Sequence, residues 1–371
     1  QTVTITYHYN FGDSTQIYED SGYPKNTNAT VKSLSDVNFD APTGYEFLGW
    51  ATTPDSNKIE YAAGDPVFVD ANGDNDLYAV WQVKTYKVIY KLDGGSWTEK
   101  TNEFPYEYKE TVNVIETVPT KTGYIFAGWM YNGNESDIYK TGTAKTSFTM
   151  PTDNVILKAK WDINKYTVTW VNWDGSEVRT DKEVPYGTEL KAPADPTREA
   201  DAEYTYTFAG WTPKIETVTG DATYIATYTK EAKSYTLTYN LDGGAWENDT
   251  TYTYTKKYNE EVEVKADPTK EGYTFTGWDY SVNVEVVDGK FAMPAKDVAL
   301  TAKWEAKSYT LTYDLDGGEW ENDTTYTYTK KYNEKVEVKA DPTREGYTFT
   351  GWTTTDVTLN GKSFTMPAKD V

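Results

Sequence analysis

One short stretch returns along this chain often enough to dictate how the rest must fold. It reads Pro268-Thr269-Lys270-Glu271-Gly272-Tyr273-Thr274-Phe275-Thr276-Gly277-Trp278 and recurs from Pro342 to Trp352. Looser copies run from Pro42 to Trp50 and from Pro119 to Trp129, and a copy with extra residues runs from Pro196 to Trp211. Five copies of one signature in 371 residues imply five copies of one folding unit, each of about 75 residues. The expected units are 1–82, 83–163, 164–232 (divergent), 233–305 and 306–371. The fourth and fifth are near-duplicates: 233–278 and 307–352 differ only at Asn240/Asp314, Ala245/Glu319, Glu261/Lys335 and Lys270/Arg344.

A unit this small is marginal unless its core is dense in large side chains. The chain supplies them, with 13 Trp, 33 Tyr and 12 Phe. Cysteine is absent and histidine occurs once, as His8, so disulfides, thiolate chemistry and a repeated histidine metal site or triad are excluded. A net charge of −22 repels phosphate backbones and anionic lipid, which argues against nucleic-acid partners. No apolar run is long enough to span a bilayer, so membrane insertion is not expected. Gln1 enters the first repeat at once, and the chain reads as an excerpt from a longer protein.

The periodic segments alternate apolar and polar residues and are rich in Thr, Val and Tyr, which predicts strands and turns throughout. Val3, Ile5, Tyr7 and Tyr9 share one face of an opening strand; Val298, Leu300, Ala302 and Trp304 share one face of a closing strand. Asp242-Gly243-Gly244 and Asp288-Gly289 are hairpin signals, and Gly272 is expected at positive φ. Gly277 is expected where another backbone approaches closely. The polar stretch Asn10–Asp40 reads as irregular, and short helical turns are expected within Tyr106–Thr117. Tyr228 replaces the closing Trp of the third unit, and the fifth stops at Val371, where its closing strand should begin. The linkers are short and lack Gly and Pro, which predicts restricted motion between units.

The ordered set of Leu-Asp-Gly-Gly turn, Asp-Pro-Thr-Arg-Glu-Gly-Tyr-Thr-Phe-Thr-Gly-Trp (341–352) and closing Leu-Tyr/Thr-Ala-x-Trp strand resembles the Listeria–Bacteroides repeat, the B-repeat of internalin-type bacterial surface proteins. The resemblance spans essentially the whole chain. It implies a β-grasp-like, ubiquitin-like unit, so that the fold class expected is all-β to α+β: five such units in tandem, forming an elongated rod. It also implies secretion and display on a bacterial cell surface or cell wall. It carries no catalytic residues.

The motif aromatics recur at equivalent positions and are therefore read as core: Tyr45, Phe47, Trp50 and Trp81; Tyr124, Phe126, Trp129 and Trp161; Phe208 and Trp211; Tyr273, Phe275, Trp278 and Trp304; Tyr347, Phe349 and Trp352. Trp97, Trp173, Trp246 and Trp320 leave a hairpin turn and are candidate ligand contacts. Asp70, Asn72, Asp74 and Asp76 offer oxygen ligands for calcium, although the loop aligns with an ordinary turn, Met150–Ile156, and lacks the full EF-hand pattern. No other cofactor is indicated. Acidic pairs such as Glu260/Glu261 read as solvated strand edges, and no nucleophile–base constellation stands out, so an enzyme is not expected. Two functions remain. One is a structural stalk of an adhesin-like surface protein, in contact with neighbouring domains of the same longer chain. The other is a multivalent module binding host or matrix glycans or proteins.

Overall fold

A computed structural model describes all residues, 1–371, and every regular element in it is a strand. The helical turns expected within Tyr106–Thr117 are absent: Glu103–Glu107 and Thr111–Asn113 are strands. Alternation explains this, since Val112 and Val114 reach the core at a spacing of two residues. The stretch read as irregular, Asn10–Asp40, contains strands Ile17–Pro24 and Thr27–Thr30 and buries Val31, Val37 and Phe39. Its few apolar residues were too widely spaced to register as a pattern.

The chain divides into two compact units. The first comprises Gln1–Thr169, Arg179–Ala192 and Ile215–Thr223; the second comprises Trp170–Val178, Pro193–Lys214 and Tyr224–Val371. Within the first, two repeats share one plan. In the first repeat the opening strand Thr2–His8 lies between the second strand, Ile17–Pro24, and the closing strand, Asp76–Val83, which is flanked in turn by the motif strand Tyr45–Ala51. Opening and closing strands run parallel; the other two pairings are antiparallel. The next repeat places Thr85–Lys91, Glu103–Glu107, Val155–Ile163 and Tyr124–Tyr131 in the same roles and adds the edge strand Ile138–Tyr139.

Within the second unit, Ser234–Asn240, Thr253–Lys257, Val298–Ala306 and Tyr273–Tyr280 repeat the plan. Each of these repeats also has a separate short antiparallel pair, for example Glu261–Glu263 with Lys290–Ala292. The third repeat keeps the motif strand Tyr204–Thr212 against the closing strand Ala222–Ala232. In every motif strand the register slips at the glycine of Gly-Trp, between Phe47/Gly49, Phe126/Gly128, Phe208/Gly210 and Phe275/Gly277. This bulge turns Phe and Trp, three residues apart, toward one another, with ring centroids 5.0 to 5.6 Å apart. The expected close backbone approach occurs at Gly49, where an added Cβ would lie 2.7 Å from the Tyr61 carbonyl; around Gly277 the space is open, and the bulge alone accounts for the glycine. Both hairpin signals form, with Asp242, Gly243, Asp288 and Gly289 all at positive φ.

A tyrosine in the opening strand, or directly after it in the fifth repeat, sits at the centre of most cores. Tyr7, Tyr90, Tyr239 and Tyr313 are buried against the Gly-Trp tryptophan, and each hydroxyl accepts a backbone N–H, from Lys32, Ile115, Lys265 and Lys339. Burial pushes the Tyr90 phenol up from its ordinary 10.0 to about 12. The unfolded chain releases this proton near pH 10 while the fold retains it. Stability is therefore full below pH 10 and falls between pH 10 and 12, by about 1.4 kcal/mol per pH unit at most. Denaturant titrations at pH 8, 10 and 12 should show this decline, and Tyr90→Phe should flatten it for the second repeat. An equal decline in the variant would rule the tyrosine out as its source.

Candidate functional site: the joints between repeats

The expected linkers shrink to one residue each. The closing strand ends at Val83, Ile163, Ala232 and Ala306, and the next opening strand begins at Thr85, Lys165, Ser234 and Ser308. Between them lie Lys84, Asn164, Lys233 and Lys307. Each of these four residues donates its backbone N–H backward and accepts one from the repeat ahead. Lys84 N donates to Gly44 O at 2.8 Å, and Tyr108 N donates to Lys84 O at 2.9 Å. The same pairs are Asn164 to Gly123 and Tyr186 to Asn164 (2.9 and 2.8 Å), Lys233 to Glu203 and Tyr258 to Lys233 (2.9 and 2.7 Å), and Lys307 to Gly272 and Tyr332 to Lys307 (2.9 and 2.8 Å). Every joint lies wholly inside one of the two units.

The tyrosine of the following repeat also covers the glycine of the preceding one. A Cβ at Gly44, Gly123 or Gly272 would fall 2.0, 2.1 or 2.3 Å from a ring atom of Tyr108, Tyr186 or Tyr332. These glycines stand at φ of +78°, +79° and +73°, so both space and backbone exclude a side chain. Tyr332 meets Tyr273 edge-on at 5.4 Å and Tyr108 meets Tyr45 at 6.3 Å. At the third joint Glu203 replaces the glycine. Tyr258 there packs edge-on to Tyr204 at 5.5 Å, and the neighbouring Glu203 carboxylate pushes its phenol up.

Of the residues singled out in the sequence, Tyr45, Tyr273 and Gly272 meet the joint tyrosines, and the rest lie elsewhere. Trp50, Trp129 and Phe126 are buried, and Tyr45, Phe47, Trp81, Tyr124, Trp161, Phe208, Trp211, Tyr273, Phe275, Trp278, Trp304, Phe349 and Trp352 are half-buried. Tyr347, read as core, is 67% exposed. Its counterpart Tyr273 pairs with the closing strand at Ala306; no residue of 1–371 holds the equivalent place beside Tyr347. Trp97, Trp246 and Trp320 are half-buried rather than free. Trp246 stands 5.3 Å from Tyr239 and donates to Ala266 O at 2.7 Å, with Lys265 Nζ 4.7 Å from its ring. Trp246→Ala should therefore lower the stability of the fourth repeat by about 2 kcal/mol, below the cost of truncating a fully buried Trp; an unchanged denaturation midpoint would mark the ring as a free contact surface. Only Trp173 of the four is largely exposed, at 49%, with the Arg198 guanidinium 3.9 Å from its ring.

In the proposed calcium loop, Asp70 Oδ1 accepts Asn72 N at 2.9 Å, and Asp76 lies 3.2 Å from His8 Nε2, whose ring stacks on Tyr78. No three acidic or histidine side chains converge there as cation ligands. Glu260 accepts from Lys257 N and Lys256 Nζ, while Glu261 pairs with Lys290. The joint tyrosines were not singled out in the sequence. The signal available was a tyrosine followed by a residue at positive φ, as in Tyr258-Asn259 and Tyr332-Asn333, one unit-length apart.

The sequence pattern of the Listeria-Bacteroides repeat domain matches five times, over residues 4–80, 86–160, 166–232, 235–303 and 309–371. The chain belongs to this family. A putative Gly-rich membrane protein of Evansella cellulosilytica is 28% identical over 83% of this chain. This chain spans 34% of that protein and 40% of a second putative membrane protein from the same organism, so it covers well under half of either. Internalin H of Listeria monocytogenes is 39% identical over 32% of the chain and 20% of its own length. Among solved structures, domains 3–4 of the Streptococcal High Identity Repeats in Tandem from a cell surface protein align with 38% of the chain and 98% of that chain, at 18% identity and a TM-score of 0.22. No helix in these repeats is long and apolar enough to cross a membrane.

Proposed function

We propose that the chain is a structural stalk of a bacterial surface or secreted adhesin-like protein, in which β-grasp-like repeats follow one another as an elongated rod. The joint carries this reading: four linkers of a single residue, each hydrogen-bonded on both sides, with the Tyr-on-Gly contact at three of them. A flexible tether would need none of this. A catalytic protein would keep one site, whereas here the recurring feature is a connection. The reading requires no cofactor and places the chain outside the cell. Five globules of about 28 Å diameter set end to end would reach about 140 Å. Small-angle scattering should give a maximum dimension of that order, and a compact particle would overturn the stalk.

A second reading has its own observation. Tyr252 and Tyr326 stack nearly parallel on Trp246 and Trp320, at 5.8 and 6.0 Å, and both tyrosines are exposed. Paired flat rings at equivalent places suit the apolar face of a sugar, and repetition would add avidity. Arrays of host and matrix glycans and proteins test this; binding abolished by Tyr252→Ala with Tyr326→Ala would favour it over a pure spacer.

A further inference from the structure

The third repeat departs from its neighbours at one charged position, and the departure leaves an arginine without an acceptor. In the Pro-Thr-Lys/Arg segment ahead of the motif strand, the cation of the second, fourth and fifth repeats is Lys121, Lys270 and Arg344. Each reaches back to the Asp-Gly-Gly turn and donates to the backbone carbonyl of Asp93, Asp242 or Asp316, at 2.9, 2.7 and 2.5 Å. The cation is thereby tied to the turn, and Arg344 shows that an arginine makes this contact as a lysine does.

Arg198 holds the same place in Pro196-Thr197-Arg198, but the turn it would reach has changed: Trp173 stands where the other repeats have Asp93, Asp242 and Asp316. Arg198 lies instead between two aromatic rings, its guanidinium carbon 3.9 Å from Trp173 and 3.6 Å from Tyr206. It makes no hydrogen bond and no ion pair. The carboxylates near it in sequence are engaged elsewhere. Asp174 accepts from Ser176 N and Oγ, and Asp201 accepts from Glu203 N, Tyr204 N and the Tyr206 hydroxyl. The bond from Tyr206 anchors one ring at its far end, while Trp173 remains 49% exposed. A guanidinium flanked by rings keeps its N–H donors along its edge, in a planar fork that matches a carboxylate. The exposed indole beside it offers a flat apolar surface.

We propose that Arg198, Trp173 and Tyr206 form a binding site for a sugar acid. The Arg198 fork takes the carboxylate, and the apolar face of the sugar ring rests on Trp173. One cation in a chain of net charge −22 suits a single charged sugar and not a polyanion, which the rest of the surface repels. The site is separate from the stacked rings of Trp246 and Tyr252, and it stands or falls independently of both the stalk and the paired-ring readings.

Saturation-transfer NMR on the full chain with methyl glucuronide tests it. Binding should saturate, and methyl glucoside, with a hydroxymethyl in place of the carboxylate, should bind about tenfold more weakly, as should the glucuronide to Arg198→Gln. Arg198→Lys keeps the charge but loses the fork, and should weaken binding about threefold. Trp173→Asp restores the residue of the other repeats and should abolish binding, whereas Lys270→Gln, whose cation serves the turn, should leave it unchanged. Thermal melting separates a lost site from a lost fold; where Arg198→Gln fails to fold, Arg198→Lys carries the test. Absence of saturation, equal binding of glucoside and glucuronide, or full binding by a folded Arg198→Gln would each overturn the proposal. Equal or tighter binding of a sulfated glucoside or of N-acetylglutamate would also overturn it, by assigning the fork to a sulfate or to an acidic peptide.

Discussion

Trp129→Ala is expected to unfold the second repeat at temperatures where the fourth stays intact. Trp129 is 1% exposed and meets Tyr90, Phe126 and Trp97 at 4.7, 5.0 and 5.6 Å. Truncating such a side chain removes transfer free energy and leaves a cavity, about 3–5 kcal/mol together. A domain of this size holds about 4–11 kcal/mol in all, so most of the reserve of one repeat is lost. In a linear array a defect spreads mainly to its nearest neighbours. Hydrogen exchange read by mass spectrometry should show peptides from 86–160 losing protection, while those from 235–303 keep theirs. Uniform loss along the chain would mean that the repeats unfold as one block. A cost below 1 kcal/mol would mean that Tyr90 and Trp97 collapse into the vacated space.

Gly272→Val should release the fifth repeat from the fourth without unfolding either. The new side chain faces two obstacles. Its backbone stands at φ +73°, and its Cβ would lie 2.3 Å from the Tyr332 ring. The ring must leave, and the hydrogen bonds through Lys307 at 2.9 and 2.8 Å lose their alignment. Gly346→Val is the matched control. It has nearly the same φ, +79°, but nothing within 4 Å of the added carbon, so it carries strain without a collision. Spin labels on the second strands of the two repeats should give one narrow distance distribution in the parent and in Gly346→Val, and a broad one in Gly272→Val. An unbroadened distribution would show that the Tyr-on-Gly contact does not hold the joint.

These two experiments probe features that the sequence revealed unequally. Repetition and two-residue alternation made the opening, motif and closing strands legible, because each buries one face. The hairpin dipeptides were legible because only a few residue types adopt positive φ. Ile17–Pro24 and Thr27–Thr30 were not: the first is an edge strand with mostly solvent-facing side chains, and the second is four residues long. Tyr347 misled for a different reason. Its sequence context equals that of Tyr273, yet its burial depends on a strand contributed from farther along the fold. The joints escaped because their chemistry is split between repeats. Gly272 and Tyr332 are 60 positions apart: the glycine was legible as a positive-φ position, but nothing in its own unit pointed to the tyrosine that covers it. The core role of Tyr7, Tyr90 and Tyr239 was masked by the abundance of tyrosine, since only the backbone N–H opposite each hydroxyl distinguishes it from the others.

The parallel pairing of first and last strands decides how a repeat carries tension. The chain enters along Thr85–Lys91 and leaves along Val155–Ile163, and these strands are neighbours held by the rungs Val88–Val155, Ile89–Ile156, Tyr90–Leu157 and Lys91–Lys158. Ser234–Asn240 and Val298–Ala306 repeat the arrangement. A pull on the two ends therefore slides one strand along the other, so the rungs bear load together instead of opening one after another like a zip. Joints of one residue pass that load on with almost no slack.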